Sequence, residues 1–131
     1  MKKLIIVFIA MFPLLVKAQA HLGSSLSDLK SRHPDKYFKI AYTNDGTKYA
    51  TTEHLLGTFI YYFDGETGLT FMCVQIPDNL QALNTQVEIY NKKYVIISEK
   101  SWKAYLDGGE TMKIDLKYNE EYETYLFYYT F

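Results

Sequence analysis

The spacing of apolar residues changes its character several times along the chain. Residues 4–16 form an unbroken apolar run that follows Lys2 and Lys3 and precedes Ala18-Gln19-Ala20. A basic start, a short apolar run and a small-x-small site are typical of a secretory signal peptide. The run is shorter than the roughly 20 residues that a membrane-spanning helix needs. We therefore predict a signal peptide over residues 1–20 and a single globular domain over residues 21–131.

Two later segments have the apolar spacing of short helices. The first begins at Ser25, whose spacing from Asp28 predicts a capping box, and it ends before Pro34. The second begins at Asp78, the predicted capping residue, and ends near Asn91. The apolar stripes are Leu22, Leu26 and Leu29 in the first helix and Leu80, Leu83, Val87 and Tyr90 in the second.

Elsewhere the apolar residues alternate with a period of two, which is typical of strands. The pattern predicts four strands between the helices, at 37–42, 48–52, 58–63 and 69–76, and three or so after the second helix, within residues 94–131. Glycine-containing turns at 44–46 and 64–68 join neighbouring strands as hairpins. We predict an α+β fold in which two short helices pack on an antiparallel, meander-type sheet. The order of elements resembles a tandem of two helix-plus-meander halves, near 21–76 and 77–131.

The same periodicities predict which side chains form the core. Because apolar residues that recur on one face of a helix or strand tend to be buried, we expect one shared core rather than one in each half. The predicted core residues are Leu26, Leu29, Ile40, Phe59, Leu83, Val87, Ile114, Leu116 and Phe127.

Charge and cysteine content limit the function. The whole chain has a formal net charge of −1, and loss of the three lysines within residues 1–20 would make it −4. A mildly acidic domain is a poor match for nucleic acid or for anionic lipid. We therefore expect no nucleic-acid partner and no stable membrane insertion after signal cleavage. Cys73 is the only cysteine, so no intramolecular disulfide can form, and its apolar surroundings predict a buried thiol.

The sequence contains no arrangement of residues that predicts catalysis or metal binding. His21, His33 and His54 lack the spacing of a metal site. No pair of carboxylates is fixed across a cleft, and no G-x-S-x-G motif is present. We expect a protein that is not an enzyme and that needs no cofactor.

Tyrosine is the unusual feature of the composition, with 13 residues that all follow residue 20. Tyrosine is common on half-buried strands, and it is also enriched at recognition surfaces. Tyr61, Tyr125 and Tyr129 are the candidate binding residues if their sheet face is open. If that face packs on the helices, they are core residues instead. Tyr128 alternates with Tyr129 and therefore lies on the opposite face.

One resemblance concerns the order of elements over most of the chain after residue 20. A helix that opens with Leu22-Gly23-Ser24-Ser25, followed by strands that include Tyr61-Tyr62-Phe63-Asp64, resembles small exported bacterial domains. These are the β-lactamase-inhibitory-protein-like and outer-membrane assembly lipoprotein-like domains. The resemblance implies a helix packed on an antiparallel meander and a non-catalytic, partner-binding role. This chain lacks the lipid-anchored cysteine and the disulfides found in those proteins.

Three functions remain open at this point. The leading hypothesis is an exported binding module, in the periplasm or outside the cell, that engages a protein through an aromatic sheet face. The second is a small-ligand carrier with a pocket between helix and sheet, and the third is a small envelope hydrolase. The sequence identifies neither the partner nor the oligomeric state.

Overall fold

The computed structural model describes residues 21–106 and 109–131, so the predicted signal peptide lies outside the described residues. The described residues form two helices and eight strands. In chain order these are α1 (Leu26–Arg32), β1 (Lys39–Tyr42), β2 (Lys48–His54), β3 (Gly57–Phe63), β4 (Thr70–Ile76), α2 (Leu80–Lys93), β5 (Val95–Ser98), β6 (Ser101–Tyr105), β7 (Thr111–Asn119) and β8 (Thr124–Thr130).

The eight described strands form one sheet in the order β1-β2-β3-β4-β8-β7-β6-β5, and each neighbouring pair is antiparallel. Each half is a helix followed by four strands, and the last strand of one half pairs with the last strand of the other. The sheet is therefore continuous across the two halves, and the predicted α+β meander is confirmed. The described part of the second half has four strands rather than three or so.

Helix α1 begins and ends where the sequence predicts. The Ser25 hydroxyl accepts a hydrogen bond from the Asp28 amide at 3.1 Å, and the Asp28 carboxylate accepts one from the Ser25 amide at 3.4 Å. The helix ends at Arg32 with His33 as its C-cap, because the proline that follows disfavours helical geometry at that residue. The capping box is thus confirmed.

Helix α2 is capped by Asn79, one residue later than the predicted cap, Asp78. Asn79, and not Asp78, has the extended backbone of a cap, and its side-chain oxygen accepts a hydrogen bond from the Ala82 amide at 2.8 Å. Either residue type can cap a helix. The cap is therefore Asn79, and Asp78 lies one residue before it, outside the helix.

The buried stripe of α2 also differs from the prediction at one end. Leu80 is 70% exposed, whereas Leu83 and Tyr90 are buried and Val87 packs against the core. Gln86 occupies the buried position between them. The helix continues to Lys93, beyond the predicted end. No helix in the described part of the chain is long and apolar enough to cross a membrane.

One large core lies between the helices and the sheet. Five predicted core residues are buried there, namely Leu29, Phe59, Leu83, Ile114 and Phe127. The other four are half-buried and pack against this core, namely Leu26, Ile40, Val87 and Leu116. Residues of both halves contribute to the same cluster, which agrees with the expectation of a shared core.

Candidate functional site

The structure places two of the three predicted binding tyrosines beneath the helices. Tyr61 is 2% exposed and Tyr129 is 1% exposed, and both belong to the core that α1 and α2 cover. Burial raises the pKa of both hydroxyls far above the usual value. Their sheet face is therefore the covered one, which corresponds to the core alternative for these residues.

Tyr125 lies on the same side of the sheet but nearer its end. Its ring meets that of Tyr118 edge to face, with 5.4 Å between centroids, and the Lys100 ammonium lies 5.0 Å from its centroid. Tyr125 is half-buried and packs against the margin of the core. None of the three predicted tyrosines therefore lies on the opposite side of the sheet.

That opposite side, which we call the open face, carries a second apolar cluster. Its centre is formed by three buried residues on the central strands, Ile60, Val74 and Leu126. Half-buried residues surround them, namely Tyr49, Tyr62, Met72, Ile76 and Tyr128. Every member comes from a strand, so no described helix contributes to this cluster.

Register explains how these side chains meet. Ile60 lies opposite Val74, and Tyr62 lies between Tyr49 and Met72, on paired strands. Residues that are directly opposite in paired strands lie on the same face and touch. The Tyr49 and Tyr62 rings are 5.7 Å apart between centroids. The open face is thus an apolar strip with tyrosine rings on its rim.

The charges on the open face are mostly basic. Four lysines share the face through their pairings, namely Lys39, Lys103, Lys113 and Lys117. The Lys117 ammonium lies 5.6 Å from the centroid of the Tyr128 ring. The carboxylates on this face are engaged within the protein: Asp115 accepts a hydrogen bond from Ser101 at 2.7 Å, and Glu53 accepts one from Thr58 at 3.1 Å. Asp115 also lies 3.6 Å from the Lys113 ammonium in a salt bridge. A chain with a net negative charge therefore presents an excess of lysines around its open apolar strip.

The covered face contains a polar cluster that is satisfied internally. The Gln75 amide donates to Gln86 at 2.6 Å and to the Leu56 carbonyl at 2.9 Å. The Tyr129 hydroxyl donates to Gln75 at 2.7 Å and lies 2.5 Å from the Tyr90 hydroxyl. All of these side chains are buried, so the cluster has no path to a substrate. It joins α2 to the centre of the sheet.

The thiol of Cys73 lies in the same core and is fully buried, as the sequence predicts. Burial raises its pKa well above the usual value. A thiol that remains protonated and inaccessible is a poor nucleophile.

The structure brings together the three histidines, although no sequence pattern groups them. His21 and His33 are joined by a hydrogen bond between their Nε2 atoms at 2.8 Å, and the His33 and His54 rings are 6.4 Å apart between centroids. Arg32 lies 3.3 Å from the Nδ1 atom of His21, and a guanidinium at that position opposes a bound cation. Among the described residues, no group of three or more histidine, cysteine or acidic side chains could hold a metal ion.

A groove of about 630 Å³ lies at one end of the sheet. The turns after β1 and β3 and the start of α1 form its walls, with Leu26, Tyr42, Phe63 and Phe71 as its apolar lining. Asp45 and Asp64 line it as well, and both carboxylates accept hydrogen bonds within their own turns. The groove is wide open to solvent and differs from an enclosed pocket between helix and sheet.

No protein-family model, curated protein or solved structure matches this chain. The functional proposal therefore depends on the geometry of the chain itself. The sequence drew attention to tyrosine and to an aromatic sheet face, but it left open which face the helices cover. Two tyrosines of the open face alternate with candidate residues, Tyr62 with Tyr61 and Tyr128 with Tyr129. The third, Tyr49, lies opposite Tyr62 on the neighbouring strand.

Proposed function

We propose that this protein is an exported, non-catalytic binding module whose open face docks on a partner protein. One observation carries the proposal: an apolar cluster of three buried and five half-buried side chains lies on a sheet face that no described helix covers. Contiguous apolar patches with a polar rim are typical of protein-binding surfaces. Tyrosine and methionine, both present here, are enriched in the centres of such interfaces.

The charge of the open face indicates the chemistry of the partner. Lys103, Lys113 and Lys117 flank the apolar strip on one side, and Lys39 flanks it on the other. The matching surface would have an apolar centre and carboxylates at its rim, since complementary charge speeds association and excludes wrong partners. The same acid-rimmed surface would be repelled by the rest of this acidic chain, which favours docking in one orientation.

Two features of the sequence support the remaining parts of the proposal. The apolar run at 4–16 with its basic start and small-x-small site supports export. The resemblance to small exported bacterial partner-binding domains supports a non-catalytic role. The polar groups that the structure gathers, in the core and around His21, are engaged with each other rather than arranged around a cleft.

The test begins with capture of partners by the tagged protein from its native envelope and continues with the purified partner. Tyr62→Ala and Tyr128→Ala should each weaken binding by more than about 1 kcal/mol, which raises the Kd at least roughly fivefold. Lys117→Glu should slow association, most strongly at low salt, because it reverses the steering charge. Tyr118→Ala is the matched control: the same truncation of an exposed tyrosine on the helix side of the sheet.

Two results would overturn the proposal. One is a captured partner whose Kd is unchanged by both open-face variants and is weakened by the control. The other is a native chain that retains residues 1–20 and packs them on the open face, which protection of Tyr62 and Tyr128 from surface labelling would reveal.

The groove at the end of the sheet supports a second candidate, small-ligand carriage. Its volume lies in the range of small-molecule sites, and its lining includes three aromatic rings, those of Tyr42, Phe63 and Phe71. Native mass spectrometry of the protein as isolated should then show a bound small molecule that Phe71→Ala releases. An unliganded mass in every preparation, with no small molecule stabilising the protein in a thermal-shift screen, would reject this candidate.

A further inference from the structure

The histidine cluster joins three separate parts of the chain. His21 precedes α1, His33 caps the end of α1, and His54 ends β2. These are all the histidines in the protein. His21 is only 4% exposed, and its ring lies 6.3 Å from the Tyr61 ring between centroids. The cluster therefore closes one end of the covered core.

The hydrogen bonds assign the protons within the cluster. Arg32 can only donate, so the Nδ1 atom of His21, 3.3 Å from its guanidinium, is the acceptor. The proton of neutral His21 then lies on Nε2, which donates to the Nε2 atom of His33 at 2.8 Å. The cluster disfavours a proton on the Nδ1 atom of His21, because the N–H group formed there would face the donor groups of the Arg32 guanidinium.

The charges around the cluster act in the same direction. Burial, followed by His33, Arg32 and His54, lowers the pKa of His21 from 6.5 to about 3. Burial, Lys36 and His33 lower the pKa of His54, and Asp35 opposes this in part. The groups that face the cluster are Arg32 and His33 from α1, Asp35 and Lys36 from the following loop, His54 from β2 and Tyr61 from β3. The arrangement seen in the structure, which we call the closed state, therefore disfavours protons that free imidazoles would bind.

Thr70, at the start of β4, also holds the segment of residues 21–25 on the sheet. The His21 carbonyl accepts a hydrogen bond from the Thr70 hydroxyl at 2.5 Å, and the Gly23 amide donates to the Thr70 carbonyl at 2.8 Å. The Thr70 amide in turn donates to the Ser24 carbonyl at 2.9 Å. His21 has a φ of 44°, a conformation that residues other than glycine rarely adopt, so its contacts must hold it in place.

We propose that the contact of His21 with His33 is an acid-released latch, which holds residues 21–25 over the core at neutral pH and frees them when the His21 imidazole is protonated. The segment is a suitable moving part because it forms no helix or strand of its own and is attached to the sheet only beside the start of β4, by its bonds to Thr70 and the bridge between Ser25 and Leu69. Release would uncover Tyr61 at that end of the core.

The direction of the pH effect follows from proton linkage. The open state binds protons with the ordinary histidine pKa of 6.5, whereas the closed state excludes them at His21 down to a pKa of about 3. The open state therefore binds more protons between these values, and the closed state loses stability as the pH falls below 6.5. For one proton, the equilibrium constant for opening should rise about tenfold per pH unit in this window.

The experiment measures amide exchange and imidazole titration by NMR on the full chain, after mass spectrometry has fixed its N-terminus. That first step matters because a free amino group on His21 would add another charge to the cluster. The amides of Gly23 and Thr70 report on the latch, and their protection should fall about tenfold per pH unit from pH 6.5 to 5, after correction for intrinsic exchange. The His21 ring should stay neutral over the same range.

His21→Gln is the decisive variant, because the glutamine amide can donate to His33 but does not titrate. It should flatten the pH dependence of protection at Gly23 and Thr70. His33→Gln keeps an acceptor for His21 and leaves the titrating ring in place, so it should fold and retain the pH dependence, which gives a second test should the first variant fail to fold. Lys30→Gln, on the exposed side of α1, is the control for loss of a positive charge.

The latch would be overturned if the His21 ring titrates near pH 6.5 while the Gly23 and Thr70 amides keep their protection down to pH 5. It would also be overturned if His21→Gln folds normally and retains the pH dependence of the unmodified chain, or if His33→Gln folds normally and abolishes that dependence.

Discussion

The two faces of the sheet are built from the same strands but differ in how their polar atoms are satisfied. On the covered face, the hydroxyls of Tyr90 and Tyr129 are fully buried and bond to each other and to glutamine side chains. On the open face, Tyr49, Tyr62 and Tyr128 are half-buried, so part of each side chain remains in contact with water. The same residue type therefore serves a dry core on one side and a wet rim on the other.

The apolar centres of the two faces differ as well. The covered core continues into both helices and includes edge-to-face aromatic contacts, such as Tyr90 with Trp102 and with Phe127 at 5.7 and 5.5 Å. The open cluster is one layer thick, and its three buried residues are shielded only by neighbouring strand side chains. A single layer of side chains leaves part of its apolar surface in contact with water, and such exposed apolar patches are typical of protein-binding sites.

Adjacent residues on β8 give the largest contrast between the faces. Phe127→Ala should lower the free energy of unfolding by about 3–5 kcal/mol, because it leaves a cavity in the covered core. Tyr128→Ala should lower it by less than about 1 kcal/mol, since it removes a half-buried ring from the open face. Urea titration measures both. Equal losses would mean that the two faces are equally buried in solution.

The polar cluster beneath α2 should show the next largest effect. Gln86→Leu should cost about 1–3 kcal/mol of stability, because Gln75 and Tyr129 lose a partner in a dry interior. The Gln75→Leu, Gln86→Leu double variant should lose less than the sum of the single losses, since it removes both ends of the contact. Gln81→Leu is the control, the same change at an exposed position of α2. Additive losses in denaturant titration would contradict the coupling.

The attachment of the covering helix can be weakened without touching the core. Asn79→Ala should cost about 1 kcal/mol, because it removes the side-chain cap of α2. Asp78→Ala should change stability by less than about 0.5 kcal/mol, as expected at an exposed position outside the helix. Thermal melts of the two variants compare them directly, and the reverse order would restore Asp78 as the cap.

The smallest effect is expected within the open face itself. A double-mutant cycle on Tyr49 and Tyr62 should give a coupling of about 0.2–1 kcal/mol, the range for cross-strand aromatic pairs. A coupling well above this range would indicate that the open face is covered in solution, since burial strengthens such contacts. The cycle is best measured by denaturant titration, because both single variants should fold.

The elements of this fold follow largely from local sequence. Ser25 and Asp28 specify the start of α1, because a capping box needs only residues of one turn. The strict alternation of Met112, Ile114 and Leu116 specifies β7 and its core face in the same way. The α+β meander could therefore be predicted, since hairpin turns make consecutive strands antiparallel neighbours.

The sequence could not predict which residues make up the candidate sites. On β3, Phe59 and Tyr61 form one apolar row, and Ile60 and Tyr62 form another. Two apolar rows on one strand leave local sequence unable to say which row the helices cover. His21, His33 and His54 likewise show no common pattern, because they meet only where the end of α1 lies near the end of β2.

By itself, then, the sequence determined the order of helices and strands, the capping of α1, the antiparallel pairing and the burial of Phe59, Ile114 and Phe127. Only the tertiary structure decided that the row of Tyr61 and Tyr129 faces the helices and that the row of Tyr62 and Tyr128 faces outward. The physical reason is that a period of two separates the faces of a strand but treats them alike. Their difference arises when α2 packs across the sheet and bonds to Gln75 and Tyr129, which are distant in sequence and adjacent only in the folded chain.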